Sequence, residues 1–116
     1  MPAAVLDREA ALVCTDGDEE IFAELARILL ERIPALVARM HQAVGEGDGT
    51  ALNFCAHSLK GSAANVGAAA VCETAALMER LSESGLLEEA AALVSVLEKQ
   101  LAALAAELSS VIRAPA

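Results

Sequence analysis

One short stretch, Ala56-His57-Ser58-Leu59-Lys60-Gly61-Ser62-Ala63-Ala64-Asn65-Val66-Gly67, collects side chains able to do chemistry in a chain otherwise rich in Ala, Leu, Val and Glu. An imidazole is a nucleophile and proton carrier near neutral pH. If the stretch is helical, His57 shares its face with Asn53 one turn back, Lys60 and Gly61 one turn on, and Ala64 two turns on. Lys60 is then a mobile cation within reach of anything anionic attached to His57. Glycine inside a helix costs about 1 kcal/mol relative to alanine, and no turn signal surrounds Gly61, so something other than helix stability selects it. Without a side chain it leaves the imidazole open to an incoming surface, and Ala64 extends the same flat strip. His57 is therefore the candidate reacting group, Lys60 its electrostatic neighbour, and Asn53, Gly61 and Ala64 candidate partner contacts.

The distribution of charge agrees. The 116 residues carry 17 acids against 8 bases, a net charge of −9, yet residues 49–72 contain no acid at all. Carboxylates there would repel a phosphoryl group on His57 or an acidic partner site. The same net charge argues against nucleic acid, whose phosphates need cationic neutralisation, and against an anionic membrane surface. No apolar run approaches the roughly 18 residues of a membrane span, and the N-terminus lacks a basic region followed by an apolar core, so a cytoplasmic protein is expected. Cys14, Cys55 and Cys72 form an odd set without metal-ligand spacing and read as small hydrophobes rather than a disulfide framework.

What must hold the stretch in place is helical almost throughout. Hydrophobic residues make up 56% of the chain but aromatics only 2%, a composition that suits packed helices. Leu6, Ala10 and Val13 suggest a short first helix, with a turn at Thr15 to Asp18 and Asp18 as N-cap of the next. Phe22, Leu25, Leu29, Ile33, Leu36, Met40 and Val44 mark one long stripe from about Asp18 to Val44, kinked at Pro34. After a break at Gly45 to Thr50, a helix from about Thr50 carries Leu52, Ala56, Leu59, Ala63 and Val66 inward and ends near Gly67. Another buries Val71, Met78 and Leu81 and ends before Ser82 to Gly85. The last repeats Ala90, Val94, Leu97, Leu101, Leu104, Leu108 and Val111. The expected fold is all-α, an antiparallel up-and-down four-helix bundle with a short additional N-terminal helix, one domain over 1–116 with its core at about 18–111.

The run from Ala56 to Ala63, followed by Asn65 and Gly67, resembles the signature of the histidine-containing phosphotransfer (HPt) domain, and the helix pattern from about Asp18 to Leu108 is similar to that family's fold. The likeness covers most of the chain, and His-x-Leu-Lys-Gly with small residues after it is its specific part. It implies a phosphorelay intermediate in two-component signalling: His57 would accept a phosphoryl group from, and donate it to, aspartates of response-regulator receiver domains. The partners implied are such a receiver, a sensor histidine kinase, or both. Such domains are carriers without autonomous ATP-dependent kinase activity, with no cofactor of their own and Mg²⁺ expected on the receiver only. The chain lacks G-x-x-x-x-G-K-[ST], and its Gly45-Glu46-Gly47-Asp48-Gly49 loop places acids where a nucleotide's phosphates would lie.

An imidazole that transfers a phosphoryl group in line must be held at a fixed angle. Helices meeting at a turn near residue 68 bring His57 beside Glu79, which lies equally far on the other side. Glu79 is thus expected to accept a hydrogen bond from Nδ1–H and leave Nε2 to attack, the alternative being a solvated surface carboxylate. His41, near the end of its helix, reads as a surface residue favoured by the helix dipole. Two other assignments stay open: the phosphate-accepting domain of a chemotaxis-type histidine kinase, and a non-catalytic helical interaction module dimerising through the last helix. A monomer is expected if that helix fills its own core.

Overall fold

The computed structural model describes residues 19–113, and among them every regular element is a helix: α1 Glu19–Glu46, α2 Gly49–Asn65, α3 Ala69–Glu83 and α4 Leu87–Arg113. The expected short first helix, the Thr15 to Asp18 turn, the Asp18 cap and Cys14 lie outside the described residues. Helices adjacent in sequence pack on each other, and α4 returns to pack on α1, which closes a ring of four around one core. At a rise of about 1.5 Å per residue, α1 alone runs nearly the 45 Å length of the molecule. No helix among the described residues is long and apolar enough to cross a membrane.

The first three helices each end where a glycine permits it. At the end of α2 the Gly67 amide donates to Ala64 O and the Ala68 amide to Ala63 O, with Gly67 at φ 69°. These two bonds satisfy carbonyls that a helix end otherwise leaves open, and they require the left-handed backbone that glycine adopts without strain. The same pair of bonds closes α1 around Gly47 and α3 around Gly85. Because the glycine is the pivot, α1 continues through Gly45 to Glu46 and α3 through Ser82 to Glu83, each past the boundary the turn-rich composition suggested. Helix α2 starts at Gly49, one residue before the expected Thr50, with Asp48 as its cap, the carboxylate accepting the Ala51 amide at 2.9 Å. Asp48→Ala is expected to cost about 1 kcal/mol, read as a lower urea midpoint, and an unchanged midpoint would contradict the cap's role.

The core is mostly aliphatic, with the aromatic Phe22 buried in it. Leu52, Ala56, Leu59 and Ala63 of α2, and Val66 just past its end, are fully buried, and so are Val71 and Met78 of α3. Ala90, Val94, Leu97, Leu101, Leu104 and Leu108 of α4 are buried within the single chain, so that stripe is spent on its own core; the Val111 side chain lies outside the described set. Val44 is 36% exposed, contrary to the sequence reading, and Ala43 takes the inward position. From Met40 the helical step back to the core is three residues, not four, and α1 stays helical there. Ala26 and Ala75 are likewise fully buried where larger neighbours had marked the stripe. Leu25, Ile33 and Leu81 pack only partly buried against the core, and α1 passes unbroken through Pro34.

Candidate functional site

Helix α2 presents its buried stripe to the core and a narrow outer strip to solvent. Phe54, His57, Gly61, Ala64 and Asn65 lie on this strip, all exposed. The His57 side chain is 70% exposed and Phe54 is 65% exposed. A Cβ built at Gly61 meets nothing within 4 Å. Internal packing therefore does not demand glycine there, and the space over the imidazole is open from outside.

On one flank of the strip stands α3. His57 Nδ1 lies 2.5 Å from Glu79 Oε2, and Lys60 Nζ donates to Glu79 Oε1 at 2.6 Å. The Glu79 side chain is 13% exposed. Its carboxyl is held below the usual carboxylate range, chiefly by the Lys60 hydrogen bond, with His57 adding to the effect and burial opposing it. An ionised carboxylate only accepts, so the proton in the short contact sits on Nδ1, and in the neutral ring the lone pair then belongs to Nε2. Lys60, expected as a mobile cation, is instead tied to Glu79 with its side chain 35% exposed. Asn53, a candidate partner contact in the sequence, also has partners within the chain. It is half-buried, and its Nδ2 donates to Glu79 O at 3.1 Å and Ser82 Oγ at 3.2 Å, fastening α2 to the turn of α3 that carries Glu79.

On the other flank stands α1. The Arg32 guanidinium donates to Ser58 Oγ at 2.8 Å and Ser62 Oγ at 3.1 Å. Neither Arg32 nor the exposed Phe54 was singled out in the sequence, although Phe54 lies one turn before His57 on a helix whose phase was known. Beyond Phe54 a groove of about 520 Å³ opens between the end of α1 and the start of α2, lined in part by Arg39, Ala43, Ala51 and Cys55. Burial raises the Cys55 thiol's pKa, against a smaller opposing effect of Arg39, which keeps the group protonated. Cys55 is buried and Cys72 half-buried, both free.

His41 is placed differently. It lies before the last turn of α1, and its Nε2 pairs with the Glu98 carboxylate of α4. A cross-helix partner, not the helix terminus, thus accounts for it, and the nitrogen that His57 leaves free is the one His41 has engaged.

No curated protein and no solved structure compared with the chain gives a match. Residues 24–107 do match a family model, that of the Hpt domain. The matched stretch takes in most of α1 and α4 and the whole of α2 and α3, hence every element that builds the surroundings of His57, and this chain belongs to the Hpt domain family, the phosphotransfer modules of two-component signalling.

Proposed function

We propose that this chain is a phosphorelay carrier in which His57 Nε2 takes a phosphoryl group from an aspartyl phosphate of a receiver domain and hands it to another. The contact between Nδ1 and Glu79 carries this reading, because it fixes the tautomer and points the free nitrogen of a largely exposed ring at solvent. In the forward step the Nε2 lone pair attacks phosphorus, the P–O bond breaks, and its electrons return to the aspartate carboxylate. The ring is left with a positive charge facing Glu79, much as a triad carboxylate meets an imidazolium. Reversal of the step regenerates the aspartyl phosphate. Lys60 keeps Glu79 ionised and brings positive charge near the arriving phosphate, while Asn53 acts as a positioning residue for Glu79.

Gly61 and Ala64 form the flat ground on which a partner approaches. Gly61→Ala is therefore expected to raise stability by about 1 kcal/mol through helix propensity, yet to slow transfer from a receiver. Chemical denaturation and single-turnover transfer together check this, and a variant that is both more stable and fully active contradicts it.

The remaining features follow the same reading. The chain is one domain, and its bundle is antiparallel, which the pairing of Asn53 with Ser82 and of His57 with Glu79 across the Gly67 turn supports. The internal stripe of α4 supports a monomer, and membership of a family of phosphotransfer carriers supports a cytoplasmic protein without kinase activity of its own. The direct test incubates the protein with a receiver domain loaded from acetyl phosphate. A label on this chain that is lost in acid and stable in base supports phosphohistidine, and no label rejects the proposal.

A further inference from the structure

Three of the chain's eight basic residues, Arg32, Arg39 and Lys60, border the outer strip of α2. They do so in a protein of net charge −9 whose residues 49–72 contain no acid. Lys60 has its carboxylate partner in Glu79. Arg32 is different, because the two groups it donates to are hydroxyls, and among the described residues it forms no ion pair. Its anchors are placed with respect to the reacting group: Ser58 directly follows His57 and Ser62 directly follows Gly61.

A guanidinium held by two neutral acceptors keeps its whole charge. Its planar fork carries five N–H donors, of which the serines use two. Arg32 is exposed, and the shallow recess beside it is lined by Ile28, Ser62 and Asn65. A surface arginine whose only task was to tie helices would gain more from a carboxylate. Here the side chain is immobilised at little electrostatic cost to an incoming anion, so part of the entropy of ordering it is already spent before docking.

We propose that Arg32, fixed by Ser58 and Ser62, is a second cationic contact that engages a carboxylate on the docking face of the receiver, on the side of His57 opposite Lys60. This rests on the phosphorelay reading and adds to it a residue of α1 that reads the partner's charge. Contacts of this kind act through encounter rate and register and weaken with salt. Ser58 and Ser62 are then positioning residues for the guanidinium.

The test compares wild type with Arg32→Gln in two reactions: transfer from an acetyl-phosphate-loaded receiver that labels the wild type, and direct labelling by phosphoramidate. The expected result is a receiver KM about threefold to fivefold higher at low salt, beyond any change in the phosphoramidate rate and shrinking by about 0.5 M NaCl. An unchanged KM, a rise that is the same at all salt concentrations, or an equal loss with phosphoramidate overturns the proposal. If Arg32→Gln melts, Arg32→Lys decides. A KM within about twofold of wild type and the same salt slope support a charge contact, whereas a rise with unaltered salt slope assigns Arg32 to helix tying alone. Should no receiver label the wild type, it is the phosphorelay reading that fails, and this one with it.

Discussion

His57→Gln is expected to abolish phosphoryl acceptance while leaving the fold intact. The imidazole side chain is 70% exposed and lies outside the core, and Glu79 keeps its bond from Lys60, so the loss should cost about 1 kcal/mol at most, the worth of one hydrogen bond. Glutamine keeps a helix-compatible, polar side chain of similar reach but has no nucleophilic nitrogen. Label from a phosphorylated receiver should fall to background, with an unchanged helical spectrum and a cooperative melt. His41→Gln is the informative companion: it removes the contact with Glu98, yet transfer should proceed as in wild type, because His41 Nε2 is engaged and its ring stands on another face. Residual label on His57→Gln, or label lost in His41→Gln, would reassign the acceptor.

The second large effect is expected at Glu79. Removing it in Glu79→Ala frees both the imidazole and Lys60, which share its two oxygens. A reacting group that loses its orientation can cost up to about a hundredfold in rate, and single-turnover transfer should fall by about tenfold to a hundredfold. Glu79→Gln should retain more activity, since its amide oxygen can still accept Nδ1–H although it cannot hold the charge of Lys60. Equal rates for wild type and Glu79→Ala would reduce Glu79 to a surface carboxylate.

The same residue sets a dependence on pH whose sign is fixed. The Glu79 carboxyl titrates lower in the folded protein than in the unfolded chain, so on acidification the unfolded chain takes up its proton first. The stability that Glu79 contributes is fully present above the ordinary carboxylate range and is lost as pH falls through the lower, folded value. Wild type should exceed Glu79→Gln in denaturant midpoint near neutrality, and the two should converge in acid. A difference that persists unchanged at low pH would contradict the ionised contact.

Much of this was readable before any coordinates. The inward face of α2 followed from its repeat, and Glu79 followed from counting equal steps on either side of residue 68 in the turn, because short connections between packed helices leave little freedom of register. A similar count, centred on Gly47 itself, sets Arg32 opposite Ser62, a signal present in the sequence and passed over because arginines on exposed helix faces are common. Ala26, Ala43 and Ala75 escaped because alanine is found on either side of a helix, so a pattern drawn from large residues overlooks it. The pairing of His41 with Glu98 was beyond reach for another reason. It joins α1 to α4, which no turn connects, and depends on how the ring of helices closes. Helix ends were misplaced by one or two residues wherever the composition of a turn was taken for its pivot.

The central claim concerns a single atom, and phosphorus-nitrogen correlation by NMR on the ¹⁵N-labelled, phosphorylated protein addresses it directly. The account predicts one phosphohistidine, on His57, with phosphorus bonded to Nε2 and a proton retained on Nδ1. Phosphorus on Nδ1 of His57, or on either nitrogen of His41, would contradict it.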